Sequence, residues 1–322
     1  MKNKPFRLIT VKSLIIIFLL VLIVRGFAFE SVRIDSNQME SAIHPGDHLL
    51  INKWTYGLRL PGTWLAIPFI HDSIRVLGLK SYSDILQMPY TRVRAKEASR
   101  NDVITFNHPG NQFLTLPADR KPVCISRCIG LPGDSLSFTG KGYFANGVFY
   151  TDNNNRLSPY LFREKGKGDI VKAITQAKRR IRITRIMEDN YLIFISRDEL
   201  NSVFNSSKNL LEAYYPESDC YSLYVPRKDK MIRASKENVA AYRDILLRHE
   251  LPEAEIKDSL LYHKGRQLQF VSFKQNYYWV LSDNRESGED SRSFGLVPES
   301  HLIGKAITVW KGGDGEWFKS IQ

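Results

Sequence analysis

The densest run of groups able to do chemistry is "SNQMESAIHPGDH", residues 36–48. Two hydroxyls, Ser36 and Ser41, flank a carboxamide, Gln38, and two imidazoles follow, His44 and His48. A seryl hydroxyl becomes a nucleophile only when a base within hydrogen-bond reach takes its proton. A carboxamide has no acidic proton to surrender, so Gln38 cannot attack a peptide carbonyl at neutral pH. The H-x3-H spacing of His44 and His48 would suit a metal on a helix. Pro45-Gly46 lies between them and breaks a helix, so no metal site is expected. A second set lies in "VCISRCIGLPGD", 123–134. On a strand, Cys124, Ser126 and Cys128 share one face, and Cys128 sits about 6.6 Å along that wall from Ser126. The Cys128 thiol reads either as a small buried hydrophobe or as a nucleophile. A third set, "SDNRESGEDSRS", 282–293, interleaves Asp283 and Asp290 with Arg285 and Arg292.

Strands must position these groups. "HLLINK" (48–53), "DVITFN" (102–107), "VCISRCI" (123–129), "YYWVLS" (277–282) and "HLIGKAITVW" (301–310) are rich in β-branched and aromatic residues. Pro132-Gly133 fits the central pair of a type II turn. Asn146-Gly147 inside "YFANGVFY" predicts a hairpin. The middle, 151–270, opens on polar "TDNNNRLSP" and mixes strand-like "IRITRI" and "NYLIFIS" with two helical patterns. One starts at a Ser196 cap in "SRDELNSVFNSSKNLLEAYY"; the other, "SKENVAAYRDILLRHELPEAEI", stops at Pro252.

The chain opens with Lys2, Lys4, Arg7 and Lys12 ahead of an unbroken apolar run, Leu14–Val24. Extended past Arg25, which can snorkel, to Phe29, the run approaches the roughly 20 residues that a membrane span needs. The cations place the N-terminus in the cytoplasm. A cleaved signal peptide lacks a small-x-small site here, because Ala28 is flanked by bulky residues. A core helix rarely begins with four cations. The stretch 58–79 is too broken by Pro61, Pro68, His71 and Asp72 to span. Trp54, Tyr56, Trp64 and Phe69 around it suit either a headgroup-facing surface or a packed loop.

The net charge is +12, and 163–185 holds nine basic residues against two acidic ones. That excess reads as a solvated face. No zinc finger, helix-turn-helix or aromatic RNA-binding signature accompanies it, so nucleic acid is not an expected partner. Three cysteines, none in CxxC spacing, give neither a disulfide framework nor a zinc ribbon.

Three segments together resemble the bacterial signal peptidase I family: "RGFAFESVRIDSNQMESAIHPGDHLLINKWTYG", "RNDVITFN" with "CISRCIGLPGDSL", and "VLSDNRESGEDSRSFGLVPESHLIGKA". No resemblance is found over 151–270. The resemblance implies a mainly β fold: a signal peptidase-like β core (complex β fold) with an N-terminal transmembrane helix and an α+β insertion. The expected division is a cytoplasmic N-terminus (1–12), an anchor (13–29), a β core in two parts (30–150 and 271–322) and an insertion (151–270).

The family's chemistry, as the resemblance implies it, is attack by a serine whose proton passes to a desolvated neutral lysine. Here the nucleophile position is Gln38, the base position is Ser126, and the serine that supports the lysine falls at Gly288. The Pro-Thr pair of the first motif is Ser41-Ala42. Ser36 matches the position whose hydroxyl helps form the oxyanion hole. Met39, Gly46, Asp47, Arg127, Gly130, Pro132, Gly133, Asp134, Asp283, Asn284, Arg285, Asp290 and Arg292 match the motif frame. Losing such a nucleophile or its base costs about a millionfold in turnover. The reading is a catalytically inactive member that binds signal peptides or exported preproteins as a binding or accessory factor. Its expected site is the inner membrane: single-pass, N-terminus cytoplasmic, the bulk periplasmic or extracytoplasmic. The bilayer and an active signal peptidase or secretion component are its further expected partners. No cofactor is implied. The alternative is an active signal peptidase with a displaced nucleophile: Ser36, Ser41 or Cys128.

Overall fold

The structure is a computed structural model that describes residues 4–40, 42–63, 73–74, 79–80, 88–113, 116–151, 156–176, 183–187, 189–204, 210–214, 220–286, 288–313 and 315–321. The sheet that organises it follows from alternation. The strand His48–Asn52 buries Leu49 and Ile51 and leaves His48, Leu50 and Asn52 half-buried, which is the signature of a strand with one face on a core. Val103–Asn107 is buried along its whole length, and the Val123–Gly130 strand is buried from Ile125 onward. These two therefore lie at the centre. The spatial order is Phe29–Arg33, His48–Asn52, Leu302–Lys311, Val103–Asn107, Val123–Gly130, Tyr277–Leu281, Val297–Pro298, with Lys319–Ser320 added beside Leu302–Lys311. Neighbours run antiparallel, and the chain is mainly β.

Two clusters clothe the faces of this sheet. Met39, Ile43, Leu49, Val103 and Ile125 pack in one. Ile104, Phe106, Cys128, Tyr278 and Val280 pack in the other, with Tyr56. Tyr56 is thus a core residue, its hydroxyl donating to Asp102 at 2.9 Å, whereas Trp54 is exposed. The other aromatics of that stretch, Trp64 and Phe69, lie outside the described residues.

Both turn signals hold. Gly133 has φ +93° and the Asp134 amide donates to the Leu131 carbonyl at 3.0 Å, a type II turn. Asn146 and Gly147 both have positive φ and close the hairpin between Gly142–Ala145 and Val148–Thr151, as a type I′ turn requires.

The middle of the chain divides by packing. Ser158–Arg163, Ile183–Met187, Asn190–Ile195 and Glu212–Ala213 form a sheet with its own cluster, including Phe162, Ile170, Tyr191 and Ile193. Ser222–Tyr224 instead pairs with Ser135–Thr139. The helical stretch after Ser235 packs Val239, Tyr242, Ile245 and Leu246 into the same cluster as Leu136, Tyr143 and Tyr277. Ser196 caps a helix by a full capping box with Glu199, but that helix covers only Arg197–Ser202, shorter than the sequence pattern suggests.

At the N-terminus a 24-residue helix runs Lys4–Phe27 and feeds directly into the Phe29–Arg33 strand. Leu14–Val21 and Val24 are 43–65% exposed along it. The helix starts earlier than the expected anchor, 13–29, and stops two residues sooner. Among the described residues no helix is long and apolar enough to cross a membrane. The side chains of Arg7, Leu22, Ile23 and Arg25 lie outside the description.

Candidate functional site

The fold brings the three sequence segments to one place through the backbone of the third. The Asn284 amide donates to the Gln38 carbonyl at 2.9 Å, and the Asn284 side chain donates to the Asn37 carbonyl at 3.2 Å and to Glu40 Oε2 at 3.4 Å. A single asparagine therefore grips the 37–40 turn. One residue earlier, Asp283 takes two hydrogen bonds from Arg127: Nε to Oδ1 at 2.9 Å and Nη2 to Oδ2 at 2.7 Å. Both side chains are at most 4% exposed. The Asp283 carbonyl also accepts from Leu157 at 2.9 Å, so the start of the middle segment docks on the same motif.

The rest of the frame is equally tied down. Gly46 turns with φ +96°. Asp47 accepts from the His44 amide and the Gly313 amide, each at 2.9 Å, joining the first motif to the end of the last long strand. Asp134 accepts from Arg100, from the Leu131 amide and from Asn146. Gly130 leaves no room for a Cβ, which would meet Leu136 Cδ1 at 2.6 Å and Trp279 Cβ at 2.8 Å. Asp290, fully buried, caps the helix Ser291–Phe294. It accepts from the Ser282 amide at 2.9 Å and binds the Arg292 guanidinium through both oxygens. Arg292 in turn donates to the Arg285 carbonyl at 2.8 Å.

The two positions that the resemblance pairs as nucleophile and base hold a carboxamide, Gln38, and a hydroxyl, Ser126. Gln38 is half-buried. Ser126 is fully buried, lies opposite Ile104 and donates its hydroxyl to the Ile125 carbonyl at 2.7 Å. A hydroxyl spent on its own strand neither titrates near neutrality nor takes a proton from a neighbour. Met39 is fully buried and Ser36 half-buried. Ser41 lies outside the described residues.

The thiol alternative fails on burial. Cys128 is fully buried in the core, and burial, reinforced by Asp102, pushes its thiol far above the usual range. Cys124 is pushed up to about 12 by burial and by Glu289. Nucleophilic cysteines need the opposite, a depressed pKa and access. The wall reading of Cys124, Ser126 and Cys128 placed all three correctly on one face, but for Cys128 that face is core.

Two features were not visible in the sequence. One is the Asn284 grip on the 37–40 turn. The other is at Gly288, where a Cβ would lie 2.2 Å from Ser282 Cβ, 2.4 Å from Ser282 Oγ and 2.5 Å from the Asn284 carbonyl oxygen. A serine does not fit there as the loop stands. Among the described residues no group of three or more His, Cys, Asp or Glu is arranged to hold a metal ion. His48 instead packs edge-on against Trp310.

The antiparallel sheet thus brings the three sequence segments together, with Arg127 paired to Asp283 beside the 37–40 turn. The model of the family "Signal peptidase, peptidase S26" matches residues 7–203 and 225–311, most of the chain, and the chain belongs to that family. The match runs through much of 151–270, where no motif was legible. Signal peptidase I of Buchnera aphidicola subsp. Acyrthosiphon pisum is 24% identical over 325 residues, covering 100% of this chain and 81% of that protein. Signal peptidase I of Pseudomonas aeruginosa is 27% identical, covering 93% and 70%. A solved signal peptidase I from Enterococcus faecalis V583 aligns at 17% identity over 65% of this chain and 97% of that one, with a TM-score of 0.26. The family assignment rests on the sequence match.

Proposed function

We propose that the protein is a membrane-anchored signal peptidase I-type protein that holds signal-peptide segments of exported preproteins without cutting them. Membership of the family supports a role in signal-peptide processing. The observation that carries the inactive reading is Gln38 and Ser126 standing at the two reactive positions, while Asp283 pairs with Arg127 and the Asn284 amide holds the Gln38 carbonyl. No proton can move from a carboxamide to a seryl hydroxyl at neutral pH, so the step that would form the acyl-enzyme has no donor and no acceptor. What persists is a shaped surface able to take an extended chain by strand addition.

The anchor is the Lys4–Phe27 helix, whose exposed Leu14–Val21 face suits lipid. The flanking cations keep its start in the cytoplasm, with the β core and the middle segment on the far side of the inner membrane. An active signal peptidase or a secretion component is the partner to which a bound preprotein passes.

The test uses full-length protein in proteoliposomes with a preprotein bearing a photo-crosslinker near its signal-peptide C-terminus. The account expects a crosslink to this chain and an uncut preprotein. Cleavage at the signal-peptide junction by the purified wild type overturns it.

A further inference from the structure

A small cavity of about 130 Å³ lies among residues that the proposed site does not use. Its polar lining is Arg59, Tyr90, Asp119 and Ser300, with apolar Leu60 and Pro117 beside them. A water takes about 30 Å³ of the liquid, so the space suits about four waters or one small polyatomic ion. Drug-sized ligands need about 300 Å³ or more.

The charges around this space do not balance. The strand Leu58–Arg59 pairs antiparallel with Arg92–Val93, and the register sets Arg59 directly opposite Arg92. Like charges so placed repel. Neutral acceptors take the hydrogen bonds of both. Arg59 Nη1 donates to Asn107 Oδ1 at 2.6 Å. Arg92 donates to the Tyr90 hydroxyl and to the carbonyls of Gly57, Glu299 and Leu302. Arg59 is held down to about 10, first by burial and then by Arg92. A buried charge normally meets a counter-charge. Two carboxylates are at hand. Glu299 accepts from the Tyr90 hydroxyl at 3.2 Å. Asp119 spends Oδ2 on the Thr63 amide and hydroxyl, at 3.0 and 2.9 Å. Its Oδ1 is buried with no hydrogen-bond partner among the described residues, and such groups call for an explanation. The Ser300 hydroxyl, 3.3 Å from His301 Nδ1, completes the polar lining.

We infer that this cavity binds a phosphate group that carries a proton, as free hydrogen phosphate or as a phosphomonoester. Arg59 supplies charge and donors, Ser300 supplies a hydroxyl, and the anion offsets the repulsion between Arg59 and Arg92. Asp119 Oδ1 accepts the P–OH proton. The same oxygen sets the specificity. Sulfate and phosphodiesters have no proton to donate at neutral pH and would place bare oxygens against a carboxylate. The bound group ties together Arg59, Asp119 and Ser300, which come from three separate parts of the chain. The inference goes beyond the proposed function and stands whether or not the wild-type protein cleaves.

Calorimetric titration and Tm of the full-length chain in detergent test it, with chloride holding the ionic strength constant. Inorganic phosphate should bind and raise Tm saturably. Sulfate should bind on the order of a hundredfold more weakly or not at all. Glycerol 3-phosphate and dimethyl phosphate separate the forms of the ligand. A monoester that binds more tightly than inorganic phosphate makes the ligand a phosphomonoester, and the reverse makes it free phosphate. Equal binding of phosphate and sulfate, binding of the diester as tight as that of phosphate, or no binding of either phosphate or its monoester overturns the inference.

Two variants place the ligand. Ser300→Ala should weaken phosphate about tenfold through the lost hydroxyl. Asp119→Asn can keep an acceptor for Thr63 while turning its NH₂ into the cavity. It should weaken phosphate and admit sulfate, so that the preference between the two shrinks at least tenfold. Unchanged phosphate affinity in both variants puts the binding elsewhere and overturns the assignment. If Asp119→Asn does not fold, Ser300→Ala decides alone. No readout involves cleavage, so an active wild type would sink the functional reading and leave this one standing.

Discussion

Asp283→Ala is the perturbation whose cost follows most directly from the structure. Asp283 and Arg127 are at most 4% exposed and share two charge-assisted hydrogen bonds, at 2.9 and 2.7 Å. Removing the carboxylate deprives a buried guanidinium of two charge-assisted hydrogen bonds, while the Asn101 carbonyl still accepts from it at 3.0 Å. Breaking a buried pair from one side costs about 3–5 kcal/mol, whereas replacing both partners by apolar residues of similar volume is often close to neutral. At roughly 2–4 °C per kcal/mol for a domain of this size, Asp283→Ala should lower Tm by on the order of 10 °C. Arg127→Met with Asp283→Leu should recover most of it. The loss should also be local. Asn284 grips the 37–40 turn and the Asp283 carbonyl holds Leu157, so amide exchange at Asn284 and Leu157 should speed up before the rest of the sheet responds. Differential scanning calorimetry and hydrogen exchange on detergent-solubilised full-length protein give both readouts. If Asp283→Ala melts within about 2 °C of wild type, or the doubly apolar variant is as unstable as the single one, the pair does not hold the frame as argued.

Two further outcomes follow from burial. His249 is held down to about 4, first by burial and then by Lys121 and Arg248. His301, its ring 5.3 Å away, is held well below its ordinary value, chiefly by burial and then by His249 and Lys121. Below pH 6.5 the unfolded chain takes up protons that these folded rings refuse, so stability is full above that pH and falls as the medium is acidified. His249 alone contributes a loss on the order of 3 kcal/mol between pH 6.5 and 4; Tm measured against pH should fall over that range, and His249→Gln should flatten the slope. Gly130→Ala should destabilise by about 1–3 kcal/mol in urea titration, because the added methyl meets Leu136, Trp279 and Val225 inside van der Waals distance.

How much of this was legible depended on how local each feature is. The strand His48–Asn52 was legible from its β-rich residues, although its hydrophobicity alternates poorly; that Leu49 and Ile51 are buried between half-buried neighbours is seen only in the fold. Pro132-Gly133 and Asn146-Gly147 carry their turn types in their own backbone preferences. The short strand Ser222–Tyr224 offers three residues, too few to show a period, and it joins Ser135–Thr139 across some 85 positions. The frame residues were legible only by resemblance, because what matters is pairing between Arg127 and Asp283, 156 positions apart. The crowding of position 288 by Ser282 was not legible, since it exists only once the loop has closed. Cys128 illustrates the limit of period-two reasoning: it fixes which face a residue shares, not whether that face is open.

The most direct test of the central claim is a preprotein-processing assay with the purified full-length wild type beside its Gln38→Ser/Ser126→Lys variant, the signal-peptide junction followed by mass spectrometry. The account predicts no wild-type product above the uncatalysed background. Junction-specific cleavage by the wild type at a rate near that of an active family member would contradict it.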